Sequence, residues 1–137
     1  MNNQSKQESA MGWGLSFAWD AYSDGSINPS TTIYGITTAL AVGGLVESYC
    51  RSGRIDYLNA AIESLDYYAE QTSEDIYGKF LNYSDQSSDR YNTHNVNSML
   101  MHAYARVGLL ADRSDFIELA VAIASSLESS KMLEFSA

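Results

Sequence analysis

Four stretches of helical apolar spacing are joined by connections of two very different lengths, and this alternation constrains the fold more than any other feature of the chain. The first helix is predicted over about 31–51, capped by Ser30 or Thr31, with Ile33, Ile36, Leu40, Val42, Leu45, Val46 and Tyr49 on a broad apolar face. A tight turn at Ser52-Gly53 leads to a second helix over about 56–71. It carries Tyr57, Leu58, Ala61, Ile62, Leu65 and Tyr68 on one side and Glu63, Asp66 and Glu70 on the other. Two helices so closely joined form an antiparallel hairpin. A third helix over about 95–107 and a fourth over about 114–131 repeat the pattern across a turn at 108–113. Gly35, Gly43 and Gly44 each cost roughly 1 kcal/mol in a helix, so their presence in the first one is read as close helix–helix contact.

Each hairpin follows a long connection. Residues 12–30 are rich in aromatics, Gly and Asp, with turn signals at Asp24-Gly25 and Asn28-Pro29 and a short extended piece expected around Leu15, Phe17 and Trp19. Residues 72–94 are similarly polar and aromatic, with a strand-like piece expected near Ile76, Phe80 and Tyr83. Both connections precede the first helix of a pair, so both are expected at one end of the molecule, where helix N-termini offer free N–H donors. The domain reading is a flexible lead over 1–11, a helical domain over 12–131 and a tail over 132–137.

The halves resemble each other. Tyr49-x-Arg51-x-Gly53 recurs as Tyr104-x-Arg106-x-Gly108, and Asp56-Tyr57-Leu58 recurs as Asp115-Phe116-Ile117. The offsets are 55 and 59 residues, which places a short insertion around 109–112. Spacings this long do not fit repeats of about 33 or 34 residues.

Long loop, helix, tight turn, amphipathic helix, and then the same again, is the order of an α/α-toroid. The run from Asn28-Pro29-Ser30-Thr31-Thr32-Ile33-Tyr34-Gly35 to Leu40 resembles the inner helices of six-hairpin glycosidase-like proteins. Arg54-Ile55-Asp56-Tyr57-Leu58-x-Ala60-Ala61 resembles their outer helices. The segment from Tyr83-Ser84 through His94-Asn95-Val96-Asn97-x-Met99-Leu100 is similar to the same group, particularly to members associated with bacterial exopolysaccharide and biofilm biosynthesis. The resemblance implies an all-α fold made of two consecutive hairpins of an (α/α)6-type ring. It further implies a role in polysaccharide biosynthesis or processing, with a glycoside hydrolase or a polysaccharide lyase or epimerase as the enzyme class. Family members close a ring of about six hairpins. Two hairpins therefore imply part of a longer protein, or a solenoid whose ends are covered by self-association. The apolar Met132, Leu133 and Phe135 point the same way.

Charge narrows the partners. Lys+Arg number 8 against 17 Asp+Glu, for a net charge of −9, and no basic cluster follows a phosphate backbone, so nucleic acid and anionic membrane are not expected. No stretch approaches the roughly 18 apolar residues of a membrane span. Residues 1–10 are polar, without the apolar core of a secretory signal, so a cytoplasmic location is expected. The lone Cys50 is read as a small buried hydrophobe.

An oligo- or polysaccharide suits the two connections, because flat aromatic faces stack on sugar C–H groups while short polar side chains take the hydroxyls. The expected binding residues are Trp13, Trp19, Tyr22, Asp24, Tyr91 and Asn95, and the expected catalytic residues are Asp20, Asp89 and His94. Each also has a structural account: Trp13 as a plug, Asp24 as a turn-former before Gly25, Asp89 as a partner of Arg90, His94 as a helix-start residue. No metal is expected, since His94 and His102 match no zinc spacing. No cofactor is expected either, because the chain has no phosphate loop or dinucleotide fingerprint. The competing reading is a non-catalytic helical-repeat interaction module. A terpenoid-cyclase-like toroid would need an Asp-rich cluster that is missing.

Overall fold

The computed structural model describes residues 4–7, 10–13 and 28–136, with the side chains of Trp13 and of residues 28–131. Pro29 closes a turn in which its carbonyl accepts the Thr32 N–H at 3.0 Å. Ile33 and Tyr34 then run extended, so the first helix, α1 (Gly35–Ser52), begins later than the 30 or 31 predicted. Extended geometry wins there because Tyr34 bridges to Ser84 of the second connection. α2 (Ile55–Tyr68), α3 (His94–Ala111) and α4 (Ser114–Ser136) complete a mostly helical chain. Two antiparallel ribbons accompany them. The first, β1 (Gln4–Gln7) with β2 (Ala10–Trp13), begins in the segment read from sequence as a lead and runs two residues into the first connection. The second, β3 (Thr72–Asp75) with β4 (Gly78–Leu81), takes Phe80 from the strand-like piece expected within the second connection, with Ile76 exposed at its tip and Gly78 at φ 125°.

The repeat is therefore ribbon, connection, helix, helix. α3 begins 59 residues after α1 (His94 against Gly35), and α4 begins 59 after α2 (Ser114 against Ile55). The second strand of each ribbon lies on its own pair of helices, β2 on α2 and α1, β4 on α4 and α3. One offset thus serves both helices, and no insertion is present. Gly108 is not a turn residue as predicted; it is buried in α3, and α3 ends one turn later. The counterpart of Gly53 is Asp112: both are left-handed, at φ 71° and 55°, and both donate their N–H to end a helix. After each comes the same construction. Arg54 pairs with Asp56 at 2.8 Å and lies over Tyr57, while Arg113 pairs with Asp115 at 2.7 Å and lies over Phe116.

α1 and α3 run side by side in the same direction. A Cβ on Gly35 would meet Val96 and Leu100 at the start of α3, and Glu47 near the far end of α1 reaches Arg106 at 3.6 Å. Between the helices lies a core of Val42 and Val46, Leu58 and Leu65, Leu100 and Val107, and Phe116 and Ile123. Buried tyrosines lock it through their hydroxyls: Tyr68 donates to the Asn82 carbonyl at 2.6 Å and Tyr104 to the Leu65 carbonyl at 2.7 Å. Burial of this apolar surface is the main stabilising term. Close contact at Gly35 is as expected. Gly43 and Gly44 are different: both are exposed, with nothing within 4 Å of an added Cβ. Leu40 is 60 % exposed, and Cys50, expected to be buried, is exposed as well.

Candidate rim and grooves

The segments leading into α1 and α3 are laced together at one end of the helices. Tyr34 donates its N–H to the Trp13 carbonyl, and Gly35 donates its N–H to the Tyr83 carbonyl, both at 3.0 Å. Asp85 N–H reaches the Ile33 carbonyl at 2.9 Å, while Ile33 N–H returns a bond to Asp85 Oδ1 at 3.0 Å. The other oxygen of Asp85 accepts from the Tyr67 hydroxyl at 2.8 Å. The two expected connections do share a rim, as far as residues 28–34 and 82–89 carry them.

The same lacing consumes two of the expected site residues. Asp89 is only 2 % exposed, and its Oδ2 accepts from both Asn28 Nδ2 and Ser84 Oγ, the latter at 2.6 Å. A carboxylate so buried and engaged is a staple between connections, because its neighbours satisfy the charge that water no longer reaches. Trp13 is 6 % exposed, and its indole N–H donates to Ser64 Oγ on α2 at 3.0 Å, which makes it a plug and removes its ring from any ligand. Burial raises the Tyr34 hydroxyl above its ordinary pKa; the Asn28 side chain opposes that rise, and the nearby Asp89 and Asp85 add to it.

Three expected residues do face outward. Tyr91 is 37 % exposed, and His94 and Asn95 open α3 with exposed side chains. His94 Nε2 lies 3.4 Å from Ser130 Oγ of α4. Trp19, Asp20, Tyr22 and Asp24 lie outside the described residues. Among the described residues no cluster of three or more His, Cys, Asp or Glu is placed to hold a metal. None of the helices described there is long and apolar enough to cross a membrane.

Two grooves open beside these elements. One, of about 390 Å³, runs between α1 and α3 and is walled by Leu40, Gly43, Met99, His102 and Arg106, among others. The second, of about 570 Å³, lies between α3 and α4. His94 and Asn95 stand at its rim end, Met101 and Leu127 form its apolar floor, and Glu128 and Lys131 line it too. The sequence reading singled out neither groove, nor Asp85 as a staple. A uniform offset of 59 would have exposed the second groove, because it maps His94, Ser98, Met101, Ala124 and Leu127 of its lining onto Gly35, Ala39, Val42, Leu65 and Tyr68, all buried in the first unit.

Comparison with protein-family models, with curated proteins and with solved structures found no match.

Proposed function

We propose that the chain is a two-unit segment of an α/α-toroid of the six-hairpin glycosidase-like kind, binding an oligo- or polysaccharide along the rim at the start of α3. The observation that carries this reading is the direct pairing of the two connections ahead of α1 and α3, which builds one continuous polar edge from separate repeats. Tyr91 supplies an exposed ring there, and His94 and Asn95 supply exposed polar groups beside it. Binding is favoured over hydrolysis, because hydrolysis needs two accessible carboxylates, about 5 Å or about 6.5–9.5 Å apart. Asp89, the described one of the two expected catalytic carboxylates, is buried, with Oδ2 accepting from both Asn28 and Ser84.

Amide NMR titration with a panel of neutral oligosaccharides tests this reading. Shifts should concentrate at Tyr91, His94 and Asn95, and Tyr91→Ala should weaken binding roughly tenfold, the loss of one stacking contact of about 1 kcal/mol or more. A spectrum unchanged across the panel sinks it. The second reading, a non-catalytic helical-repeat interaction module, is favoured by the apolar groove between α1 and α3, where Leu40 stands exposed.

A further inference from the structure

The two units hold each other through a one-directional interface. The first unit contributes Gly35, Ala39 and Val42 of α1 with Leu65 and Tyr68 of α2. A Cβ on Gly35 would lie 2.9 Å from Val96 and 3.0 Å from Leu100, and Tyr104 of α3 bonds to the Leu65 carbonyl. Moving these five positions forward by the repeat offset of 59 gives His94, Ser98, Met101, Ala124 and Leu127. All five line the open groove between α3 and α4. That groove is thus the second unit's copy of the surface on which the first unit carries α3, with no helix seated on it among the described residues.

The matching half is partly uncovered among the described residues, although Leu45, the counterpart of Tyr104, is itself buried. Against the first unit, α3 buries Leu100, Ala103 and Val107. Their counterparts 59 residues earlier are Ala41, Gly44 and Ser48 of α1. Gly44 is exposed with nothing within 4 Å of its Cβ position, and Ala41 and Ser48 are only half-buried. Charge agrees with this pairing. Within the chain Glu47 meets Arg106, and 106 is itself the position 59 after 47. The same contact repeated between chains sets Arg106 of one against Glu47 of the next, again with opposite signs.

We infer that α1 of a second copy of this chain seats in the α3–α4 groove, head to tail, reproducing the contact between the chain's own halves. Such an interface is heterologous, so it closes into a ring or extends into a filament. It rests on helix faces alone and stands independently of any sugar at the rim.

Ser98→Arg blocks the groove and Gly44→Arg blocks the seated helix, both at exposed positions. By sedimentation equilibrium the native chain should form species heavier than one chain as concentration rises. Each variant alone should return to the single-chain mass with an unchanged far-UV circular dichroism spectrum. Mixed together, the variants should give a 1:1 complex that grows no further, because one retains the groove and the other the helix face. A native chain that stays at single-chain mass at every concentration overturns the inference and leaves the groove to another occupant. Association that survives in both variants, or a mixture that fails to pair, overturns it equally.

Discussion

Asp89 shows how one residue can look catalytic in sequence and be structural in space. A carboxylate amid Ser, Arg and Tyr suits acid–base chemistry, yet here one of its oxygens holds Asn28 and Ser84 from two connections. Asp89→Asn retains an acceptor oxygen and should change stability little. Asp89→Ala leaves two buried donors unsatisfied and should cost about 1–3 kcal/mol for each. Urea denaturation of the pair separates the roles; a catalytic residue without structural duty would leave both midpoints at the native value. Trp13 belongs to the same lesson. Its ring was equally suited to a sugar and to a core, and only the position of Ser64, 51 residues away, decides between them. Partners so distant in sequence carry no local signal.

At the scale of the elements, glycines separate contact from exposure. An added Cβ at Gly108 would meet Ile117 at 2.8 Å and the Arg113 carbonyl at 3.1 Å, so Gly108→Ala should destabilise by about 1–3 kcal/mol. Gly44→Ala enters open space and should stabilise α1 by up to about 1 kcal/mol. Equal shifts in thermal midpoint for the two would refute this assignment. Arg113 joins α2 to the start of α4, pairing with Asp66 at 2.6 Å and Asp115 at 2.7 Å. Hydrogen bonding to Arg113 holds the Asp115 carboxyl below its ordinary range. A lowered carboxylate stabilises the fold above its unfolded pKa and loses that contribution as pH falls through the folded value. Stability should therefore fall more steeply below about pH 4 in the native chain than in Arg113→Gln. Parallel acid profiles in the two would refute it. Helix order was legible in the sequence because each helix carries its own apolar period, as in Leu58, Ala61, Leu65 and Tyr68. The ribbon Thr72–Asp75 with Gly78–Leu81 was legible only as a strand-like piece near Phe80, since four-residue strands are too short to show a distinguishing period. The helix ends misled for a related reason: Gly108 carries the residue type of a terminus, but it lies inside α3 because α4 packs against it.

Over the whole molecule, the buried tyrosine hydroxyls tie the units to one another. Tyr68 and Tyr104 make their bonds to carbonyls across elements, and both are held far above the ordinary tyrosine pKa, chiefly by burial. For a raised acid the sign is fixed: its contribution is intact below the unfolded value near 10 and is lost as pH rises towards the folded one. Above about pH 10 the unfolded chain gives up protons that the folded chain keeps. Each such tyrosine then removes roughly 1.4 kcal/mol of stability per pH unit. Tyr68 and Tyr104 should therefore give up their protons only as the fold opens. Tyr104→Phe should cost about 1 kcal/mol at neutral pH through the lost bond to Leu65, and should shallow the alkaline slope by one proton. Urea midpoints followed from pH 8 upward measure both effects, and a slope unchanged by that substitution would show that Tyr104 reaches solvent without the two units parting.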